Sequence, residues 1–343
     1  MTDRARASAE AWFVDHGLPY FVDGIRTDVR RSLRPARLLL LAIAALAVGA
    51  GVAALVRLGL EFPPAAAFII GSQAFLAVLL AYGARGLRGG VITRWAGRRT
   101  FGSLGLLFPL VTRALPLLLL FVTFLFINTE VWQVASRLDG GVMWVTVLLF
   151  IGVAVGFLSV RLPEELEVFD EQLDAIQIRA GCRGTPLEAI AEACSVEQLD
   201  AEADHIEGLE KLNLVLVLLI AQLVQVLLLS VSVFAFFLLF GAVAIDPEVI
   251  RSWLGEVDSL HPVLGREWLS QQLLQVSVFL AAFSGLYFTV YAVSDGNYRK
   301  QFFSAILDEL QQAISARAAY RAMARVDDSD GRAEPAESVD PPS

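Results

Sequence analysis

Two sets of polar side chains interrupt otherwise apolar stretches, and chemistry would have to reside there. Gln222, Gln225 and Ser232 fall within about 80° of one another on a helical wheel, and Ser277, Ser284, Tyr287, Tyr291 and Asp295 form a second stripe of about 80°. Unsatisfied polar groups are costly in hydrocarbon, so such stripes face other helices or water. On adjacent helices they could line an aqueous path for a small ion. They could equally be interhelical hydrogen bonds, which need no path. Asn128 and Glu130 stand near the end of another apolar segment. A desolvated Glu130 would be a proton or cation site, whereas a water-exposed one would be an ordinary interfacial acid.

Signatures of catalysis are missing. The chain has no Gly-x-x-x-x-Gly-Lys loop, no paired-histidine zinc helix and no serine elbow, and His16, His205 and His261 lie far apart. Cys182, Cys194 and His205 are separated by 11 and 10 residues, which is no tight ligand set. A lipid-directed enzyme would need Glu130 to assemble with Asp258 or His261. The sequence therefore predicts no enzyme, no cofactor and no metal site.

The elements that hold these stripes are apolar runs of span length. With 56% hydrophobic residues and mean hydropathy +0.61, the 343-residue chain is too apolar for a soluble domain. Six runs read as bilayer spans: Leu38 to Val56, Ala65 to Ala84, Ala114 to Trp132, Gly141 to Val160, Leu212 to Ile245 and Leu273 to Val293. The alternate regions outside them hold 7, 6, 4 and 6 basic residues, while those between hold only Arg57, Arg137, and the pair Arg251 and Arg266. By the positive-inside rule both termini face the cytoplasm of a bacterial inner membrane. Trp95, Trp132, Trp144, Trp253 and Trp268 fall near span boundaries and mark the same edges. No signal peptide precedes the first span, which would itself direct insertion.

The expected architecture is an all-α polytopic membrane protein with six transmembrane helices and a cytoplasmic helical extension. Residues 1–37 form an amphipathic cytoplasmic segment and 38–160 the first four spans. Residues 161–211 carry 14 acidic against 4 basic residues and read as a helical hairpin. It would start at Pro163, and its second helix would be capped by Thr185 with Pro186 and Glu188 following. No strong breaker follows Ser195, so one helix is expected to run from there into the fifth span. That span has 34 uncharged residues, about 51 Å of helix, and must tilt or project beyond the bilayer. Residues 212–295 hold spans five and six. The stretch 296–325 is an amphipathic cytoplasmic helix that could pack on the acidic hairpin or on a second copy, and 326–343 is a disordered acidic tail.

The first two spans carry Gly49, Gly51, Ala53, Ala67, Gly71 and Ala74, which suits a close-packed hairpin. Phe101 to Thr112 is apolar but too short to span, and reads as interfacial or re-entrant. Cys182 and Cys194 read as buried free thiols. Membrane lipids, further copies of the chain and a cytoplasmic protein are the partners this organisation admits; nothing calls for nucleic acid.

Three segments, WFVDHGLPYFV (Trp12 to Val22), FINTEVWQVA (Phe126 to Ala135) and GLYFTVYAVSD (Gly285 to Asp295), resemble uncharacterised integral membrane proteins of actinobacteria. The arginine-over-lysine bias of 25 to 2 fits a GC-rich bacterial source. That resemblance implies a membrane location and carries no activity or functional residue with it. Two functional expectations remain. One is a channel or transporter-like protein passing a small ion between spans five and six. The other is a noncatalytic scaffold or regulator that binds a cytoplasmic partner through its acidic hairpin and C-terminal helix.

Overall fold

The computed structural model describes residues 3–59, 63–102, 116, 118–138, 140–170, 175–202, 206, 208–255, 260–263, 265–294, 310–323 and 325. The fold is all-α and polytopic. Among the described residues five helices are long and apolar enough to cross a bilayer: α3 (Pro35–Gly59), α4 (Pro64–Gly86), α8 (Gly140–Asp170, apolar to Glu164), α12 (Gly208–Ala244) and α14 (Gln271–Ser294). Among the described residues a sixth crossing is available as a bent pair, α6 (Leu118–Phe126) and α7 (Thr129–Ala135), which meet at 77°. The other described α-helices are shorter: α1 (Asp3–Asp15), α2 (Asp23–Ser32), α5 (Gly89–Gly102), α9 (Ala175–Gly181), α10 (Glu188–Ala193), α11 (Val196–Glu202), α13 (Pro247–Leu254) and α15 (310–323). Two short strands, β1 (Pro262–Val263) and β2 (Arg266–Ser270), pair antiparallel ahead of α14.

The third apolar run is thus not one straight helix. Asn128 adopts an extended conformation and its Oδ1 accepts from the N–H groups of Glu130 and Val131, capping a new helix. The Trp132 indole N–H donates to the Phe126 carbonyl at 2.6 Å, so the bend is held by a second bond across it.

α3 and α4 form the expected hairpin. A Cβ on Gly49 would lie 2.9 Å from the Gly71 carbonyl oxygen, and one on Gly71 would lie 2.7 Å from the Cβ of Ala53. The backbones touch because the residues are small. Both helices, like α8, leave most of their length exposed, as expected of surfaces that meet acyl chains. α14 and α12 are the most buried spans. They run antiparallel in direct contact: Gly285 faces Ser230 and Val226, and Gly241 faces Leu273 and Phe126.

Two expectations for the acidic region come out differently. α8 runs through Pro163 to Asp170 instead of starting there. Three short helices follow, and Thr185 Oγ1 accepts from Leu187 N–H while Glu188 reaches back to Gly184 N–H, a displaced version of the expected cap. A reciprocal pair between Ser195 and Gln198 opens α11. α11 and α12 are separate, and α12 opens at Gly208 with φ +63°, the left-handed region where only glycine sits without strain. The 103–112 stretch, Asp258, His205, Asp295, residues 296–309 and the tail from 326 lie outside the described residues.

α1, α2, α5, α9 to α11 and α15 gather at one end of the bundle as a helical cap; α7, α13 and the strands lie at the other. α15 is the axis of the cap. Leu310, Ala313, Ile314, Ala316, Ala318, Ala319, Tyr320, Ala322 and Met323 are all buried, and Ser315 packs on Gly181 of α9.

Candidate functional site

α12 is 37 residues long, about 55 Å of helix, and its first turns rise into the helical cap. There the chain places its most demanding polar groups. Glu210, 2% exposed, receives three guanidinium groups: Arg26 of α2 on Oε1 at 2.5 Å, Arg317 of α15 on Oε2 at 2.6 Å, and Arg321 of α15 on both oxygens at 2.9 and 3.0 Å. Arg317 is also 2% exposed. Buried charges persist only when paired and hydrogen-bonded. The pairing here draws one carboxylate and three cations from three separate parts of the chain.

One turn further on, Asn213 is fully buried and clamps the loop between α1 and α2. Its Oδ1 accepts from Tyr20 N–H at 2.8 Å and its Nδ2 donates to the Gly17 carbonyl at 2.9 Å. Gly17 has φ +75°, and a Cβ there would lie 3.1 Å from the Trp95 ring of α5. The loop therefore needs glycine for both its backbone and its clearance. Tyr20 Oη donates to Leu87 O at 2.5 Å, tying the same loop to the end of α4.

At the rim of this junction Asp23 also pairs with Arg26, and nearby Glu10 accepts from Tyr320 Oη at 2.9 Å and from Arg6 at 3.2 Å. Burial, then the bond to Glu10, pushes the Tyr320 hydroxyl up to about 12. Burial likewise pushes the Cys182 thiol up to about 12, and Cys194 shifts the same way. Both cysteines are free and buried. Among the described residues no cluster of three metal-ligating side chains occurs. A small cavity of about 20 Å³ between α1, α5, α12 and α15 is lined mainly by apolar groups of Trp12, Leu18, Trp95 and Val217, together with His16 and Gln312.

Chemically, the junction is an ionic knot. Both Glu210 oxygens are saturated by guanidinium donors, which leaves no lone pair directed at a substrate. A base or nucleophile needs that lone pair free; a strut does not.

The polar stripes are placed as follows. Gln222, Gln225, Ser277 and Ser284 are buried, while Ser232 and Tyr287 are exposed and Tyr291 is half-buried. Ser284 and Ser232 donate to carbonyls of their own helices, Leu280 and Leu228. Tyr287 stacks on Phe121 and Tyr291. Asn128 is a helix cap, and Glu130 beside it is exposed. Because Gly285 sits beside Ser230, Ser277 is level with a point near residue 238, roughly 20 Å along the axis from Gln225. Val226, Leu229, Val233 and Phe237 lie between them, all buried. The structure brings Gln222 and Gln225 together at one level and Ser277 to another. Gln225 Oε1 and Ser277 Oγ have no hydrogen-bond partner among the described residues.

Sequence reasoning missed Glu210, Asn213, Arg26, Arg317 and Arg321. One signal was present: an acid and an amide three residues apart, on one helix face, straddling the start of a run of 34 uncharged residues. No protein family, curated protein or solved structure matches the chain.

Proposed function

We propose that the protein is a noncatalytic membrane scaffold or regulator of a bacterial inner membrane, with the helical cap and both termini in the cytoplasm. The observation that supports it is the Glu210 knot. It joins the N-terminal helix α2, the C-terminal helix α15 and the first turn of the longest apolar helix, so displacement of any of the three strains the other two. α15 then works as an internal link between α12 and the acidic hairpin, whose exposed Glu192 and Glu197 are available to a cytoplasmic protein. The arginine distribution between alternate loops supports the orientation.

The test is photo-crosslinking in living cells from Glu192 and Glu197, with Leu149 on the outer face of α8 as control. A discrete protein adduct at the hairpin positions, lost in Glu210→Ala, is the expected result. Adducts that are absent, or equal at Leu149, overturn the reading.

A second reading is favoured by one observation. The buried, unpartnered Gln225 Oε1 and Ser277 Oγ are what an ion path between α12 and α14 would need, and further copies of the chain would have to help build it. In a single copy the two helices touch at Gly285 and Gly241, so conduction would require them to part. Selective ion flux in liposomes, abolished by Gln222→Leu with Gln225→Leu, would establish the path and displace the scaffold reading.

A further inference from the structure

Between Glu61 and Glu130 the chain contains no aspartate or glutamate. Arg85, Arg88, Arg94, Arg98 and Arg99 nevertheless crowd the end of α4 and the face of α5. A second basic group, Arg30, Arg31, Arg34 and Arg37, lies some fifty residues earlier at the junction of α2 and α3. The fold joins them. Tyr82 Oη, one turn before Arg85, donates to the carbonyl of Ser32, between Arg31 and Arg34, at 2.6 Å. The Tyr20 bond to Leu87 fixes the same turn from the other side.

Arg34, Arg37, Arg85, Arg88, Arg94 and Arg98 are all exposed, and none pairs with a carboxylate among the described residues. Arg31 reaches an acid, Asp28, at 3.5 Å. Arg88 is moreover the one non-glycine described residue with positive φ, +53°, a conformation that costs about 1–2 kcal/mol. α5 turns its apolar residues Ile92, Trp95 and Ala96 inward and Arg94 and Arg98, one turn apart, outward. Like charges brought together without a counter-charge repel, and the repulsion is relieved by an anion. These arginines stand where α3 begins and α4 ends. At the end of two bilayer-length helices, the resident anion is a lipid phosphate.

We propose that the two arginine groups joined by Tyr82 and Ser32 form one docking surface for anionic phospholipid headgroups of the leaflet that meets the helical cap. Guanidinium forks take phosphate oxygens in pairs, and α5 lies along the headgroup plane with its apolar face turned to the protein. The surface is separate from the Glu210 knot and does not depend on what the cap binds.

The test uses the full-length protein reconstituted in vesicles of equal phosphatidylcholine and phosphatidylglycerol, extracted in mild detergent, with retained lipids counted by native mass spectrometry. Wild type is expected to retain phosphatidylglycerol preferentially. The pairs Arg34→Gln with Arg37→Gln, and Arg85→Gln with Arg88→Gln, should each lower that preference, by about fivefold per arginine removed. Arg137→Gln, at the far end, should leave it unchanged, and free glycerol phosphate should not compete. Retention by wild type in the supplied proportions overturns the proposal without any variant being made. So does a preference that survives both double substitutions, or displacement by glycerol phosphate, which would assign the surface to a soluble anion.

Discussion

Glu210 and Arg317 are 107 residues apart in sequence, lie 2.6 Å apart in the fold, and are each almost wholly excluded from solvent. Removing one partner of such a pair leaves the other charge buried and uncompensated, which typically costs about 3–5 kcal/mol. Glu210→Ala should lower the thermal midpoint of the detergent-solubilised protein accordingly. Arg321→Ala, at the partly exposed edge of the knot, should cost much less. Thermal scans of the two variants against wild type check the order. Equal losses would show that the knot does not act through burial.

The Asn213 clamp makes a separate prediction. Asn213→Ala leaves Tyr20 N–H and Gly17 C=O without their partner inside the protein, at about 1–3 kcal/mol for each group stranded. Gly17→Ala must both hold φ +75° and push the Trp95 ring, so it should destabilise by at least about 1 kcal/mol. Trp95 fluorescence, dissected by replacing other tryptophans, should shift in both variants before the spans unfold.

Gly49→Ala should loosen the α3–α4 hairpin. The atom it meets is the backbone oxygen of Gly71 at 2.9 Å, which no rotamer change can clear. Overpacking of this kind costs about 1–3 kcal/mol. Gly51→Ala, which meets nothing within 4 Å, should be neutral or mildly stabilising. Disulfide trapping between cysteines placed on the two helices would report the separation.

Alkali should weaken the cap. Below about pH 9 the Cys182 thiol keeps its proton in both folded and unfolded chains, so its contribution to stability is complete there. Above that, the unfolded chain releases the proton while the folded one holds it to about 12, and stability falls across the interval. Tyr320 acts with the same sign between about 10 and 12, because its buried hydroxyl must stay protonated to donate to Glu10. A fall in thermal midpoint from pH 9 upward, reduced in Cys182→Ala and in Tyr320→Phe relative to each variant at pH 8, is the expected outcome. Cys182 should also resist alkylation at pH 8 until the protein unfolds.

What the sequence made legible was set by distance along the chain. Apolar runs and small-residue faces are local signals, and α3, α4, α8, α12 and α14 follow them. Asn128 is also readable, since Asn-Thr-Glu is a helix-start signal, but inside an apolar run it looks the same as a polar group of a span. In sequence Glu210 is one more acid in an acidic stretch. Its burial could not be read there, because Arg26, Arg317 and Arg321 are 184, 107 and 111 residues away. For the stripes on spans five and six, periodicity gives the face of each helix, but the antiparallel register, which sets Tyr291 about level with Gln225 and Ser277 some 20 Å away, comes from the contacts at Gly241 and Gly285. The three segments WFVDHGLPYFV, FINTEVWQVA and GLYFTVYAVSD each coincide with a tertiary lock, at Gly17, Trp132 and Gly285.

The knot also imposes an order on biosynthesis. Arg26 leaves the ribosome 184 residues before the carboxylate it needs, and Arg317 and Arg321 follow only after α14 has been made. Before Glu210 is made, Arg26 has Asp23 of its own helix as its partner, and until α15 follows, Glu210 stands at the mouth of its helix with one guanidinium where it finally has three. The cap therefore closes only after α14 and α15 have both been made. A chain cut short before residue 317 would still insert its apolar helices while displaying an open, charged socket, a difference that quality-control proteases can read.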